Sequence, residues 1–213
     1  MLQIKGFEFN MFGETTYVVW DDESREAAIV DAGMSTDAEL LAIDSFISNN
    51  KLIIKYLLNT HVHLDHAFGV PYIEKKYGIK LSASPLDTPL ADRIEQQAVL
   101  FHLPIKASNV IITNQLNEGD VLFLGDNKLE VIEVPGHTPG GLAFYSPEQH
   151  FVLTGDSLFY GSIGRTDLPG GNHATLVKAV TDKLLTLPAN TVVYPGHGPS
   201  TTIEQELRYN PFL

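Results

Sequence analysis

Three histidines and an aspartate crowd one short segment, Asn59-Thr60-His61-Val62-His63-Leu64-Asp65-His66. Imidazole nitrogens and carboxylate oxygens are the donors that hold zinc, iron or manganese. Their spacing adds direction. His61 and His63 stand two apart, so in an extended backbone both side chains leave the same face. Asp65 and His66 follow where the chain turns into a helix, and face a neighbouring point. One segment can therefore serve two metal ions, or one metal and its water.

Further donors follow in matching settings. The apolar runs Ile53–Leu58, Leu129–Val134, Phe151–Thr154 and Thr191–Tyr194 read as strands, and each runs into a potential ligand. The first leads to His61 and His63, the others to His137, Asp156 and His197. Donors gathered at the carboxyl ends of strands are the usual site of layered α/β folds. Gly136, Gly155, Gly196 and Gly198 stand beside them and permit tight turns. The chain has no cysteine, so the donors are imidazole and carboxylate only. His61, His63 and His137 can hold one metal. Asp65, His66 and His197 can hold a second, and Asp156 can bridge the two. Two such ions about 3.5–4 Å apart share a hydroxide and lower the pKa of bound water toward ~7. Two divalent ions outweigh two aspartates and a hydroxide, so the site would attract an anionic or carbonyl substrate. His102, His150 and His173 read as surface or core residues. Asp31, before Ala32-Gly33, is either a strand-end turn residue or an acceptor that holds the ligand loop.

The elements that must carry these residues alternate. Leu2–Phe9, Thr15–Trp20 and Glu26–Val30 read as an opening meander of strands. Ser35 or Thr36 caps a helix running to about Ile47, with Leu40, Leu41 and Ile43 as its apolar stripe. Helical patterns follow at Ala67–Tyr77, at Asp87–His102, and at Asn172–Leu185 with Asn172 as cap. A strand is expected at Leu142–Tyr145. Val131–His137 echoes Thr191–His197: each is a strand, then Pro-Gly, then histidine. The echo suggests two related halves with a sheet each, packed face to face with helices outside.

Composition sets the outer bounds. The 213 residues are 44% hydrophobic and 19% charged, which suits one globular domain over 1–213 and excludes disorder. No apolar stretch nears the ~20 residues of a membrane span, and Met1–Gly6 shows no signal-peptide core. With cysteine absent as well, a cytoplasmic setting is expected. Acidic residues outnumber basic ones 26 to 14, giving a net charge of −12. That weighs against nucleic acid or an anionic membrane as partner.

These residues resemble the metallo-β-lactamase superfamily. His61-Val62-His63-Leu64-Asp65-His66, His137, Asp156 and His197 match its metal ligands in order across nearly the whole chain. The finer resemblance is to its glyoxalase II (hydroxyacylglutathione hydrolase) branch. It rests on Gly136-His137-Thr138-Pro139-Gly140-Gly141, Thr154-Gly155-Asp156-Ser157-Leu158-Phe159 and Tyr194-Pro195-Gly196-His197-Gly198. The resemblance implies a four-layer αββα sandwich of two mixed sheets flanked by helices, with the metals at one edge. It also implies two divalent ions, zinc first, with iron or manganese as alternatives. The sequence departs from the longer enzymes of that branch. Few residues follow His197, so their C-terminal helical domain, which supplies glutathione contacts, is expected to be missing. Their substrate-binding lysine and tyrosine appear as Arg165 and Asp167. Arg165 can still pair with a substrate carboxylate, or it forms a surface salt bridge; Asp167 cannot replace the tyrosine. This loop and the closing Asn210-Pro211-Phe212-Leu213 resemble a compact bacterial form of the branch.

The expectation is a metal-dependent hydrolase that cleaves a small anionic thioester, such as S-lactoylglutathione, with a metal-bound bridging hydroxide. Asp65 would bind metal and orient the hydroxide. The segment Asp87–His102 and the loop Gly161–Gly171 would shape the pocket. The rival is a persulfide dioxygenase with one iron on His61, His137 and Asp156. A nuclease of the RNA-processing branch is disfavoured by the net charge, and a non-catalytic scaffold by the intact ligand set.

Overall fold

Valine, isoleucine and leucine fill the short apolar runs of this chain, and such β-branched and bulky residues suit strands that are covered on both faces. The computed structural model describes residues 1–105 and 107–213, and there the runs form two large sheets. The first opens with β1 (Leu2–Phe9), β2 (Glu14–Asp21) and β3 (Glu26–Val30), an antiparallel meander in which Tyr17 lies opposite Val30. Helix α1 (Asp37–Asn49) crosses over and returns the chain as β4 (Ile53–Leu58), parallel to β3. Thr36, rather than Ser35, caps it. The Thr36 hydroxyl accepts from the Glu39 N–H, and the Glu39 carboxylate accepts from the Thr36 N–H, a reciprocal capping box.

A 3₁₀ turn at Leu64–His66 leads to α2 (Val70–Tyr77), then to β5 (Leu81–Ala83), α3 (Thr88–Ala91), α4 (Ile94–Leu100) and β6 (Asn114–Gln115). The sheet runs β1-β2-β3-β4-β5-β6. The second sheet is built from β7 (Val121–Leu124), β8 (Asn127–Glu133), β9 (Leu142–Ser146) and β10 (Phe151–Gly155). The chain leaves it through a small hairpin of β11 (Leu158–Phe159) and β12 (Ser162–Ile163). Helix α5 (His173–Ala179), capped by Asn172, widens into a π-helical turn at Val180–Leu184. Then β13 (Val192–Pro195), β14 (Thr201–Thr202) and α6 (Ile203–Tyr209) complete the order β14-β13-β10-β9-β8-β7.

Three apolar layers separate four structural ones. Val18, Ile29 and Leu57 face one way, onto Ile43, Ile47, Val70, Ile73 and Ile94 of the helices. Tyr17, Val19, Ala28 and Val30 face the other way, onto Leu129, Val131, Phe144 and Leu153 of the second sheet. The outer face of that sheet, with Ala143, Val152 and Val193, packs on Leu176, Leu184 and Ile203. The period-two alternation of the strands produces this division. The result is the αββα sandwich of two mixed sheets expected from the sequence.

Three readings need correction. Leu41 lies off the apolar stripe of α1 and is exposed, whereas Ile43 and Ile47 face the core. Asp87–His102 is not one helix. Asn109 Oδ1 accepts the Glu95 N–H and the Val110 N–H reaches the Ala91 carbonyl, so the incoming chain serves backbone groups at the break around Asp92 and Arg93. The echo between Val131–His137 and Thr191–His197 does not separate two sheets. Both of its strands, β8 and β13, lie in the second sheet. The short strands β5, β6, β7 and β14 and helix α6 carry too few residues for a periodic signal. Among the described residues no helix is long and apolar enough to cross a membrane.

Asp21 ties the start of the chain to both sheets. Its Oδ1 accepts from the Met1 ammonium and from Asn127 Nδ2, each at 2.9 Å, and its Oδ2 accepts from the Ser24 N–H. Burial opposes its charge, but the Ser24 N–H and the Met1 ammonium together hold its pKa at about 2, below the ordinary 3.8. A depressed folded-state pKa contributes stability above the unfolded value that is lost as pH falls through the folded one. Denaturant titrations should therefore show stability falling between about pH 4 and pH 2. Asp21→Asn should flatten that part of the profile while lowering stability at neutral pH.

Candidate metal centre

Strand direction collects the donors. β1, β3, β4 and β5 run the same way in the first sheet, and β8, β10 and β13 do so in the second. The chain therefore delivers Asp31 after β3, the segment Asn59–His66 after β4, and Asp87 beyond β5. On the other side it delivers His137 after β8, Asp156 after β10 and His197 after β13. The turn Asn10–Gly13 after β1 reaches the same edge, where Asn10 Nδ2 donates to the carbonyls of Gly33 and Asp65.

Three sets of side chains meet there, each with its donor atoms within 4.8 Å of one another: His61, His63 and His137; Asp65, His66 and His197; and His61, His66 and Asp156. Asp156 sits between the first two. Its Oδ1 is 3.4 Å from His66 Nε2, and its Oδ2 is 3.6 Å from His137 Nε2 and 3.7 Å from His197 Nε2. Asp65 Oδ2 is 3.3 Å from His197 Nε2 and 3.9 Å from His66 Nε2. Gly196 makes the approach possible, since a Cβ there would collide with Asp156 Oδ1 and the His66 ring.

The far side of each ring decides what the near side offers. His137 Nδ1 lies 2.7 Å from the Arg165 carbonyl, and His197 Nδ1 lies 3.2 Å from those of Phe12 and Gly13. A carbonyl only accepts, so Nδ1 carries the proton and Nε2 turns its lone pair to the centre. Thr60 does the same for His61. Its hydroxyl donates to Asp31 Oδ2 and lies 3.1 Å from His61 Nδ1. Asp31 Oδ2 is also 3.1 Å from His66 Nδ1, and Asp31 Oδ1 accepts the Thr60 N–H. Asp31, left open by the sequence, thus holds the ligand loop.

Electrostatics fit the same picture. Burial, then the neighbouring imidazoles, drive His61 well below its ordinary pKa, and burial and His137 bring His63 to about 3. Both rings are neutral donors. Burial opposes charge on His66, but Asp156, Asp65 and Asp31 hold its pKa well above the ordinary value. Burial likewise opposes charge on Asp65 and Asp156, yet His66 and the surrounding rings keep both carboxylates ionised. Glu14, fully buried behind the site with Thr16 as its hydrogen-bond partner, is pushed well up by burial.

His61 Nε2, His66 Nε2, His137 Nε2 and Asp156 Oδ1 are buried without a hydrogen-bond partner. Each such atom costs about 1–3 kcal/mol unless something satisfies it. Four of them converge from three elements and form a cradle for cations, which would displace the proton that the carboxylates hold on His66. Imidazole and carboxylate donors without sulfur suit zinc, iron or manganese.

All seven ligand candidates, His61, His63, Asp65, His66, His137, Asp156 and His197, gather at this edge. Arg165 is adjacent through its backbone, but its guanidinium is exposed and forked onto Asp167 at 2.7 and 2.8 Å. Sequence reasoning gave no role to Glu14, Asn10 or Asp87. Asp87 accepts from Val62, Thr138 and Gly140, which lie 25, 51 and 53 residues away, so no local spacing could point to it.

Known proteins share this fold. The family model of the metallo-beta-lactamase superfamily matches residues 10–197. A hydroxyacylglutathione hydrolase, GloC of Haemophilus influenzae, is 37% identical over 95% of this chain and 93% of its own. The crystal structure of BLEG-1, a B3 metallo-beta-lactamase, superposes with a TM-score of 0.88 at 32% identity, covering 99% of both chains. TTHA1623, solved in a di-iron-bound form, superposes with a TM-score of 0.86 at 35% identity, covering 98% of this chain and 100% of its own.

Because Asp156 faces both donor sets, Asp156→Asn should strip metal from both, read as metal per chain after gel filtration. His63→Ala should empty one set only, and Arg165→Ala should leave metal content unchanged. Equal loss in Asp156→Asn and His63→Ala would contradict the bridging place of Asp156.

Proposed function

The chain belongs to the metallo-beta-lactamase superfamily, and on that premise we propose that it is a metal-dependent hydrolase of small anionic thioesters, with S-lactoylglutathione as the reference substrate. The observation that carries the reading is the pair of donor sets joined by Asp156, within a chain 37% identical to a hydroxyacylglutathione hydrolase. His61, His63 and His137 would hold one divalent ion and Asp65, His66 and His197 a second, with Asp156 between them. Bound there, such ions supply Lewis acidity that polarises a carbonyl and lowers the pKa of water toward ~7. We assign zinc to both places; iron and manganese suit the same donors.

The side chains do the rest. Asp65 keeps 15% of its side chain exposed, so it can receive and orient the proton of a water at the centre. The hydrogen bonds behind His61, His137 and His197 keep their Nε2 lone pairs forward throughout turnover. Arg165 lies beside His137 in sequence-distant contact, and its guanidinium can exchange Asp167 for a substrate carboxylate. An exposed ion pair contributes roughly 0–1 kcal/mol, so the exchange meets little resistance. The net charge of −12 supports a small-molecule substrate rather than nucleic acid or a membrane surface, and the absence of cysteine supports a cytoplasmic setting.

A second reading is supported by the close approach of His137 Nε2 to Asp156 Oδ2, 3.6 Å, beside His61. Two histidines and a carboxylate form the facial set of mononuclear iron oxygenases, here a persulfide dioxygenase.

Metal analysis paired with anaerobic S-lactoylglutathione hydrolysis tests the two together. Two metals per chain and oxygen-independent turnover are expected. His63→Ala and Asp65→Ala should lower kcat by at least ~100-fold, and Arg165→Ala should raise KM with kcat spared. One iron per chain, no hydrolysis, and oxygen uptake with glutathione persulfide would replace the thioesterase with the dioxygenase.

A further inference from the structure

Asp87 is a buried carboxylate at the site's edge that belongs to none of the donor sets. Its hydrogen bonds reach two loops that come from different sheets. Oδ2 accepts the Val62 N–H at 3.0 Å and the Thr138 hydroxyl at 2.9 Å, and Oδ1 accepts the Gly140 N–H at 2.7 Å. Val62 lies between His61 and His63, and Thr138 follows His137. The three histidines so flanked are one complete donor set. Asp31 acts differently: it reaches both sets from the β4 side, through Thr60 behind His61 and through the His66 ring.

We propose that Asp87 is a positioning residue that sets the distance between His61–His63 on one sheet and His137 on the other, and thereby the metal affinity of the three-histidine pocket alone. A buried carboxylate is held in place only while its acceptor capacity is filled, and here three donors fill it. An amide at the same position keeps one accepting oxygen and turns its NH2 toward a backbone N–H. Donor then opposes donor, and one of the two loops must move. Gly140 offers an independent way to disturb the carboxylate, because a Cβ there would stand 2.6 Å from Asp87 Oδ1.

The proposal rests on the metal-centre reading but not on thioester chemistry. Its test is Zn²⁺ affinity, measured on the full chain by competition with a chromophoric chelator, for the wild type, Asp87→Asn, His63→Ala and the double variant. Residues that support metal ligands typically change affinity 10–100-fold when replaced. Asp87→Asn should weaken one class of Zn²⁺ binding by about tenfold or more. In the His63→Ala background, where that pocket is already broken, it should add less than about twofold. The cycle reads the same way whether the wild type holds one ion or two. Unchanged affinity in Asp87→Asn, or an equal factor in both backgrounds, overturns the proposal. Gly140→Ala keeps every donor and the carboxylate; it should weaken the same class of binding, and wild-type affinity in a folded Gly140→Ala overturns the proposal even if Asp87→Asn fails to fold. A wild type that binds no Zn²⁺ is a separate result, visible before any variant, that removes the metal-centre reading and the proposal with it.

Discussion

Buried lone pairs pressed together are the constraint from which the rest of this structure follows. Imidazole nitrogens and carboxylate oxygens from β4, β8, β10 and β13 converge at one edge, and four of those atoms have no partner within the protein. Left alone, such a group would rotate its rings outward or draw apart. Hydrogen bonds on the outside of the cluster prevent that. Carbonyls of Arg165, Phe12 and Gly13 hold two rings from behind, and Thr60 with Asp31 holds a third. The candidate metal centre is thus an unsatisfied interior kept by a satisfied rim.

That rim also joins the sheets. The Leu142 N–H donates to the Thr60 carbonyl, the Thr15 N–H to the Gly196 carbonyl, and the Tyr17 hydroxyl to the Pro195 carbonyl. Between that edge and the Asn127–Asp21 bond at the other end of β2, the sheets meet through apolar contacts such as those of Phe144 and Val30, which are indifferent to small sliding. The apolar middle gives cohesion, and the polar edge gives registration.

How much of this could be read in the sequence depends on the distance over which each signal acts. The ligand segment His61–His66 is local, and its spacing alone announces metal chemistry. The strands before His137, Asp156 and His197 were legible because each is an apolar run that ends in a glycine turn. The Thr36 cap was legible within one turn of helix. Asp87 was not, because its meaning lies in Val62, Thr138 and Gly140, far along the chain. The broken helix failed for the same reason: Asn109 and Val110 supply from outside what a continuous helix would supply from within. The echo of Pro-Gly-His misled by suggesting a separate sheet for each strand, where both run parallel in one sheet.

Arg165 divides its labour between backbone and side chain. Its carbonyl orients His137, while its guanidinium reaches solvent and grips only Asp167. Every amino acid offers the same backbone carbonyl. Side-chain replacement at this position therefore leaves the inner machinery untouched while it redraws the molecular face that incoming compounds meet.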